Sequence, residues 1–162
     1  MIFDVDGVLT DGRLYFGAEG EMLKAFDTLD GHGVKLLRHA GVQTAIITGR
    51  SSQIVARRAR ELAIDHVFQG VRDKTVAFAE LLAATGIGAA DTGYMGDDWP
   101  DLAVMLKAGF AAAPANAHAE LRQRAHYVAS ERGGHGAVRE VCDVILRARG
   151  YYDALLDQAR GV

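Results

Sequence analysis

Apolar stretches alternate with amphipathic stretches along the chain. Short, mostly apolar runs predict strands at 2–5, 42–48, 67–69, 92–96, 110–113 and 127–129. Segments with apolar residues at helical spacing predict helices at 31–40, 52–62, 74–85, 100–107, 119–124 and 136–149. Continuously apolar strands joined by helices are typical of a parallel sheet covered on both faces. The pattern therefore predicts an α/β, doubly wound fold.

The segment 14–26 departs from this pattern. Its large apolar residues flank a Gly-rich turn, which predicts a β-hairpin after the first strand. A two-stranded ribbon with large apolar side chains on both faces cannot bury them all against one core. We interpret the hairpin as a contact between subunits. The alternative is an edge hairpin folded onto its own domain.

Length and charge limit the classes of function. The 162 residues, 49% hydrophobic and 24% charged, fit one domain spanning 1–162. The net charge of -3 comes without a long basic block, so we expect a small ligand and no nucleic acid. Cys142 is the only cysteine, and no apolar stretch approaches the ~20 residues of a membrane-spanning helix. No charged-then-apolar leader precedes the first motif, and we expect a cytoplasmic protein without a membrane partner.

Two aspartates, Asp4 and Asp6, stand where the first apolar run ends, in the segment DVDGVLTDG. Residues i and i+2 of a strand point to one face, so we expect both carboxylates to converge. Such a pair can hold Mg2+ and act on phosphorus, with Asp4 as nucleophile and Asp6 moving protons. A polar turn is the alternative, because Asp and Gly both favour turns.

Further polar residues follow other predicted strands. Thr48 ends the second strand, Lys74 begins the helix after the third, and Asp97 and Asp98 end the run TGYMGDD. Ligands of doubly wound sheets bind at the carboxyl ends of the strands, so these groups are expected at one edge. Thr48 and Lys74 would hold phosphoryl oxygens, and Asp97 would join Asp4 around Mg2+.

Each of these residues also has an ordinary structural interpretation. Thr48 could cap the next helix, and Lys74 could be solvated on a first helical turn, although a cation there opposes the helix dipole. The acids next to Pro100 could cap a helix. The clustering of all these groups at one edge of the sheet favours catalysis over the separate interpretations.

Four segments of the chain resemble the motifs of the haloacid dehalogenase (HAD) superfamily of phosphatases. They are DVDGVLTDG, IITGR, a lone Lys before a helix, and GDDWPD. The resemblance implies a HAD-like domain whose nucleophile is Asp4 and whose acid and base is Asp6, with the Asp6 backbone carbonyl on the metal. The implied sites are Asp4, Asp6 and Asp97 for Mg2+, Thr48, Gly49 and Lys74 for phosphate, and Asp98 and Asp101 as supporting acids.

The spacing of the motifs leaves no room for the cap domain that many superfamily members carry. Within the superfamily, LKAF, DGHGVKLL, AIITGR, GDDWPDLAVM and GGHGAVREVCDVIL resemble the capless phosphatases of 3-deoxy-D-manno-octulosonate (KDO) 8-phosphate. This family implies lipopolysaccharide biosynthesis and a homotetramer whose hairpins meet at the centre, with a neighbour closing each site. It also implies that Arg50 and Arg58 face the sugar acid, whereas Arg58 could instead lie on a solvated helix face. His135 departs from the family, which often has Arg there.

Other functions remain open at this stage. The motifs do not separate an eight-carbon substrate from nine-carbon sugar-acid 9-phosphates of the sialic acid type, although the segment GAVRE favours the former. A phospho-accepting signalling module also carries acids and a Lys on a doubly wound sheet, but its acceptor would lie well inside the chain. A catalytically silent scaffold is a third alternative. The segment 150–162 would either cover an active site or pack on its own domain.

Overall fold

The structure is a computed structural model that describes residues 1–161. The strands are β1 (Ile2–Phe3), β2 (Tyr15–Gly17), β3 (Gly20–Leu23), β4 (Ala45–Ile47), β5 (His66–Phe68), β6 (Gly93–Met95), β7 (Phe110–Ala113) and β8 (Tyr127–Val128). The helices are α1 (Thr28–His39), α2 (Gln53–Glu61), α3 (Lys74–Thr85), α4 (Trp99–Met105), α5 (Ala119–Arg124), α6 (Ala137–Ala148) and α7 (Tyr152–Arg160). Two short helical turns occupy Val5–Leu9 and Ala89–Asp91.

Six of the strands form one parallel sheet in the order β5-β4-β1-β6-β7-β8. The chain winds outward from β1 through β4 to β5, then returns to the other side of β1 with β6. The predicted α/β, doubly wound fold is confirmed. Strands β2 and β3 pair antiparallel in a separate sheet, which confirms the hairpin after the first strand.

The core lies on both faces of the sheet, because neighbouring strand residues point to opposite sides. Phe3 packs on one face, in the cluster that includes Leu37 of α1 and Val141 of α6. Ile2 packs on the other face, in the cluster that includes Phe78 of α3. The fully apolar strands are therefore explained by helices on both sides.

Some predicted bounds need correction. The first strand ends at Phe3 rather than residue 5, because Val5–Leu9 forms a tight turn. Helix α1 begins three residues before its predicted start, since the Asp27 carboxylate accepts hydrogen bonds from Leu29 N (2.6 Å) and Asp30 N (3.3 Å) and caps it there.

Helix α7 was not predicted from the sequence. It packs on α6, and the Arg147 guanidinium lies 3.5 Å from the centre of the Tyr152 ring. Tyr152 and Leu155 contact the core cluster formed on α1 and α6. The described part of the tail therefore packs on its own domain, while Val162 lies outside the described residues. Among residues 1–161, no helix is long and apolar enough to cross a membrane.

Candidate active site

Asp4 follows β1 directly and is buried. Its backbone is extended (φ -72°, ψ 171°), and its N–H donates to Met95 O at 3.0 Å, so it continues the pairing of β1 with β6. Asp6 is partly exposed and lies within the turn Val5–Leu9. The predicted first strand, 2–5, included Asp4, whereas the observed strand ends at Phe3. The strand ends before either residue, and the two side chains have different partners.

Lys74 reaches Asp4 from the neighbouring helix. It is the first residue of α3, and its side chain is buried rather than solvated. The Lys74 Nζ lies 2.8 Å from Asp4 Oδ1 and 2.6 Å from Asp101 Oδ1. Two carboxylates stabilise the charged amine, and they hold the pKa of Lys74 above its ordinary value although burial opposes this. The predicted convergence of Asp4 and Lys74 is thus present in the structure.

Asp101 has hydrogen-bond partners on both carboxylate oxygens. Its Oδ1 accepts from Lys74 and from the Tyr94 hydroxyl at 2.5 Å, and its Oδ2 accepts from Asp97 N at 3.1 Å and Asp98 N at 3.4 Å. Asp98 is exposed and caps α4. Asp101 therefore fixes both Lys74 and the loop that carries Asp97.

Asp4, Asp97 and Asp101 each place an oxygen within 4.8 Å of the other two. Burial, followed by the charge of Asp101, raises the pKa of Asp4 to about 6 against the opposing effect of Lys74. Burial and the charge of Asp4 raise the pKa of Asp97 to about 8. Carboxylates crowded in this way bind protons or a cation, because their mutual repulsion disfavours the ionised state.

The cluster fits a hard divalent cation in two further respects. Asp4 Oδ1 is buried without a well-aligned hydrogen bond, although Lys74 is its ion-pair partner. Gly7 lies against the Asp97 carboxylate with φ +96°, and a Cβ at this position would collide with that carboxylate. Glycine thus lets the turn 5–9 approach Asp97 closely.

Thr48 lies at the end of β4, next to Asp4. The register pairs Phe3 of β1 with Ile46 of β4, so the segments that follow these two strands leave the sheet side by side. Thr48 is buried, its N–H donates to Phe68 O at 2.9 Å, and its carbonyl accepts from Val71 N at 3.1 Å. Gly49 follows and is exposed. The structure thus brings Thr48 to the predicted edge of the sheet.

Asp6 faces Lys24, which was not among the predicted site residues, and Arg50, which was. Lys24, whose side chain is buried, donates a short hydrogen bond to Asp6 Oδ1. Arg50 Nε lies 3.8 Å from Asp6 Oδ2. Lys24 follows β3, so the hairpin contributes directly to the site. Lys24 had two signals in the sequence, its place in the segment LKAF of the family resemblance and its position as a cation at the end of an apolar hairpin.

Arg58 lies beside α1 and the end of the hairpin segment. Its guanidinium carbon is 5.7 Å from the centre of the Phe26 ring, and Nη2 is 3.5 Å from Asp27 O. Its Nε is buried without a hydrogen-bond partner. These contacts show that Arg58 is partly buried, not a fully solvated helix residue, and its predicted role toward substrate stays a prediction.

Two proteins similar to this chain are named as KDO 8-phosphate phosphatases. The KDO 8-phosphate phosphatase KdsC of Escherichia coli K12 is 46% identical over 161 residues, covering 99% of this chain and 84% of that protein. The structure of KDO 8-phosphate phosphatase from Moraxella catarrhalis, in complex with magnesium ion, phosphate ion and KDO, is 43% identical with a TM-score of 0.94, covering 97% of this chain and 90% of that one.

A third similar structure, from Legionella pneumophila, is described as a hydrolase of the HAD superfamily (subfamily III A). It is 38% identical with a TM-score of 0.93 and covers 99% of this chain and 88% of that one. No protein-family model matches the chain. In these three comparisons the likeness covers 97–99% of the chain.

Proposed function

This chain belongs to the family of KDO 8-phosphate phosphatases within the HAD superfamily, and from that premise we propose that it hydrolyses 3-deoxy-D-manno-octulosonate 8-phosphate to the free sugar acid and phosphate. One observation carries the proposal beyond the likeness to relatives. The buried carboxylate of Asp4 lies 2.8 Å from the Lys74 amine, next to a further acidic pair, at the carboxyl edge of the sheet. Phosphoryl transfer needs this combination of nucleophile and charge neutralisation.

The first step is attack by an Asp4 carboxylate oxygen on phosphorus. A new O–P bond forms an aspartyl phosphate, and the bond between phosphorus and the sugar oxygen breaks. Asp6 donates its proton to the leaving alkoxide, which departs as the alcohol. Its place in the turn after Asp4, partly open to solvent, suits a group that must exchange protons.

The second step removes the phosphoryl group from Asp4. Asp6, now ionised, takes a proton from a water molecule that attacks phosphorus. The O–P bond to Asp4 breaks, inorganic phosphate leaves, and both carboxylates return to their starting states. One residue thus acts as acid in the first step and as base in the second.

The phosphoryl oxygens would be held by Thr48, the Gly49 backbone and Lys74. Thr48 is fixed by backbone hydrogen bonds to the strand β5 and its following loop. Lys74 is fixed by Asp101, whose other contacts leave it no free oxygen. Preorganised donors of this kind stabilise charge that develops in the transition state without reorganising during the reaction.

Mg2+ would be held by Asp4, Asp97 and the backbone carbonyl of Asp6. Asp101 is less suited as a direct ligand, because both of its oxygens already accept hydrogen bonds. When bound, Mg2+ would neutralise part of the negative charge on the phosphoryl group. The three crowded carboxylates explain why a hard cation would be preferred here.

The finer assignments form part of the same proposal. Arg50 and Arg58 would recognise the sugar-acid carboxylate, for which the guanidinium fork is suited. We propose a capless domain that assembles as a homotetramer through the hairpin, whose apolar side chains Phe16 and Met22 are 58% and 66% exposed. Lipopolysaccharide biosynthesis would be the pathway. The free thiol of Cys142 is consistent with a cytoplasmic location.

Phosphate release tests the substrate assignment. Inorganic phosphate would be measured with Mg2+ on the eight-carbon sugar-acid 8-phosphate, a nine-carbon sialic acid 9-phosphate and an aryl phosphate, each repeated with EDTA. We expect preference for the eight-carbon ester and loss of release with EDTA. Preference for the nine-carbon ester would contradict the substrate but keep the chemistry. No release from any ester would contradict the phosphatase function and favour the signalling module or the silent scaffold.

A further inference from the structure

Lys24 is a buried cation next to the proposed acid and base. Its side chain is 1% exposed, and the side chains of its two carboxylate partners, Asp6 and Glu21, are each 19% exposed. Burying an ammonium group is costly unless it is paired and hydrogen-bonded. Both partners supply this pairing, through a short hydrogen bond to Asp6 and a contact of 3.2 Å with Glu21.

Glu21 links the same cation to the segment after Thr48. Its Oε2 accepts a short hydrogen bond from the Ser52 hydroxyl, and that hydroxyl also caps α2 by accepting from Val55 N at 3.3 Å. Lys24 is therefore held on one side by the hairpin and the start of α2. Its remaining contact is with Asp6, so the Asp6 side chain is held by groups that are themselves fixed.

We propose that Lys24 is a positioning residue for Asp6, with Glu21 holding Lys24 in place. The proposal rests on the proposed phosphatase function, in which Asp6 protonates the leaving alcohol. Arg50 Nε at 3.8 Å is a longer contact from an exposed side chain and cannot fix the Asp6 carboxylate alone. The hairpin thereby supplies a part of the active site as well as an exposed apolar surface.

A proton donor must lie within hydrogen-bond reach of the leaving oxygen. Without Lys24, the Asp6 carboxyl group can rotate away, and the loss should be largest for esters whose leaving group most needs a proton. Phenyl phosphate has a basic leaving group, whereas 4-nitrophenyl phosphate has a weakly basic one of nearly the same shape. A purely structural role of Lys24 would lower activity on both esters equally.

The test compares kcat/KM for these two esters, because this constant reports the steps up to cleavage of the ester bond. Lys24→Met removes the ammonium group and keeps much of the apolar stem. Lys24→Arg retains a cation, so its ratio of kcat/KM values for the two esters should lie closer to that of the wild type. Lys107→Met makes the same change at an exposed lysine and serves as the control. Circular dichroism and a thermal melt would establish that each variant is folded.

For Lys24→Met we expect kcat/KM on phenyl phosphate to fall at least about tenfold more than on 4-nitrophenyl phosphate, within the size of general acid catalysis. Lys107→Met should leave both values unchanged. An equal fall on both esters would overturn the positioning role. If Lys24→Met does not fold, Glu21→Gln is the test. We expect its kcat/KM on phenyl phosphate to fall about threefold more than on 4-nitrophenyl phosphate. An unchanged ratio of the two kcat/KM values would overturn the proposal.

The two proposals fail in different ways. If the wild-type protein with Mg2+ releases phosphate from neither aryl ester nor the sugar-acid ester, the phosphatase function fails, and the role of Lys24 fails with it. If the wild-type protein is active and the variants keep its ratio of kcat/KM values, only the role of Lys24 is lost.

Discussion

The carboxylates of the site differ in whether they already have hydrogen-bond partners. Asp101 accepts four hydrogen bonds, two on each oxygen, and so it holds other residues of the site in place. Asp4 and Asp97 are left crowded, and the pKa of each is raised, to about 6 and about 8. The same residue type thus serves two purposes, and the hydrogen bonds, not the sequence motif, distinguish them.

Mg2+ should stabilise the protein through this cluster. Ligand at about 100 times its Kd adds about 2.7 kcal/mol, and each kcal/mol raises Tm by about 2–4 °C at this chain length. We expect a rise of about 5–10 °C with Mg2+ in a calorimetric melt. Asp97→Asn should abolish most of this rise, and without metal it should melt no lower than wild type because it removes a carboxyl group whose ionisation its acidic neighbours disfavour.

Asp91→Asn is the matched control for this melt, because Asp91 is exposed and lies in the turn before β6. It should keep the full response to Mg2+. An equal Mg2+ response in wild type and Asp97→Asn would contradict the assignment of Asp97 to the metal site.

Asp30 should make stability depend on pH. It is buried, and burial raises its pKa to about 6 although Arg139 N (2.8 Å) and Gly136 N (3.3 Å) donate to it. The folded state binds this proton more tightly than the unfolded state, where the pKa is 3.8. Asp30 therefore stabilises the folded state at pH below 3.8. This stabilisation is lost as pH rises through about 6, and the free energy of unfolding falls by an amount on the order of 3 kcal/mol.

Urea unfolding with EDTA at pH 4, 5, 6 and 7 would measure this change against Asp30→Asn, which cannot ionise. The unfolding free energy of wild type should fall relative to that of the variant as pH rises. Subtracting the two removes the titration of all other groups. A difference independent of pH would show that Asp30 does not titrate in this range.

At the level of elements, the sequence predicted order and type better than ends. Helix α3 has the predicted bounds because Asp73 caps its start and Gly86 ends it with a left-handed φ of +69°. The first strand is shorter than predicted, since the apolar Val5 turns away in the tight turn. Helix α7 was not predicted, although Tyr152, Leu155, Leu156 and Ala159 have helical spacing; what the sequence could not show is that this face packs on α6.

Some residues of the site could be placed together from the sequence, and others could not. Asp4, Thr48, Lys74 and Asp97 could be placed together because parallel strands end at one edge. The pairing of Lys24 with Asp6 could not, because it depends on how a separate hairpin folds over the turn after β1. The location of residues that follow strands of the sheet can thus be predicted from the sequence. The contacts of residues carried by the hairpin are known only from the structure.

At the level of the whole molecule, the hairpin presents exposed apolar side chains next to the site. Strands β2 and β3 form no hydrogen bonds with the six-stranded sheet. Phe16 and Met22 are among their exposed side chains, while Lys24 at the end of the same ribbon is buried against Asp6. Assembly through the hairpin would therefore bring neighbouring subunits close to each active site.

Met22→Lys should weaken this assembly. Burial of a Met side chain contributes about 1.5–3 kcal/mol, so each contact should weaken about tenfold or more. Sedimentation velocity should give a tetramer for wild type and smaller species for the variant. Leu106→Lys, at a 63% exposed position after α4, should remain tetrameric. A wild-type monomer at micromolar concentration would contradict the assembly.

The central claim is that Asp4 attacks phosphorus. It is tested most directly by acid-quenching the enzyme during turnover with Mg2+ and the sugar-acid 8-phosphate, followed by mass spectrometry of the N-terminal peptide. We predict one added phosphoryl group on Asp4. Asp4→Asn, which keeps the shape without the nucleophilic charge, should show no label and no turnover while remaining folded. Active wild-type enzyme that never carries the label, together with turnover by Asp4→Asn, would contradict the account.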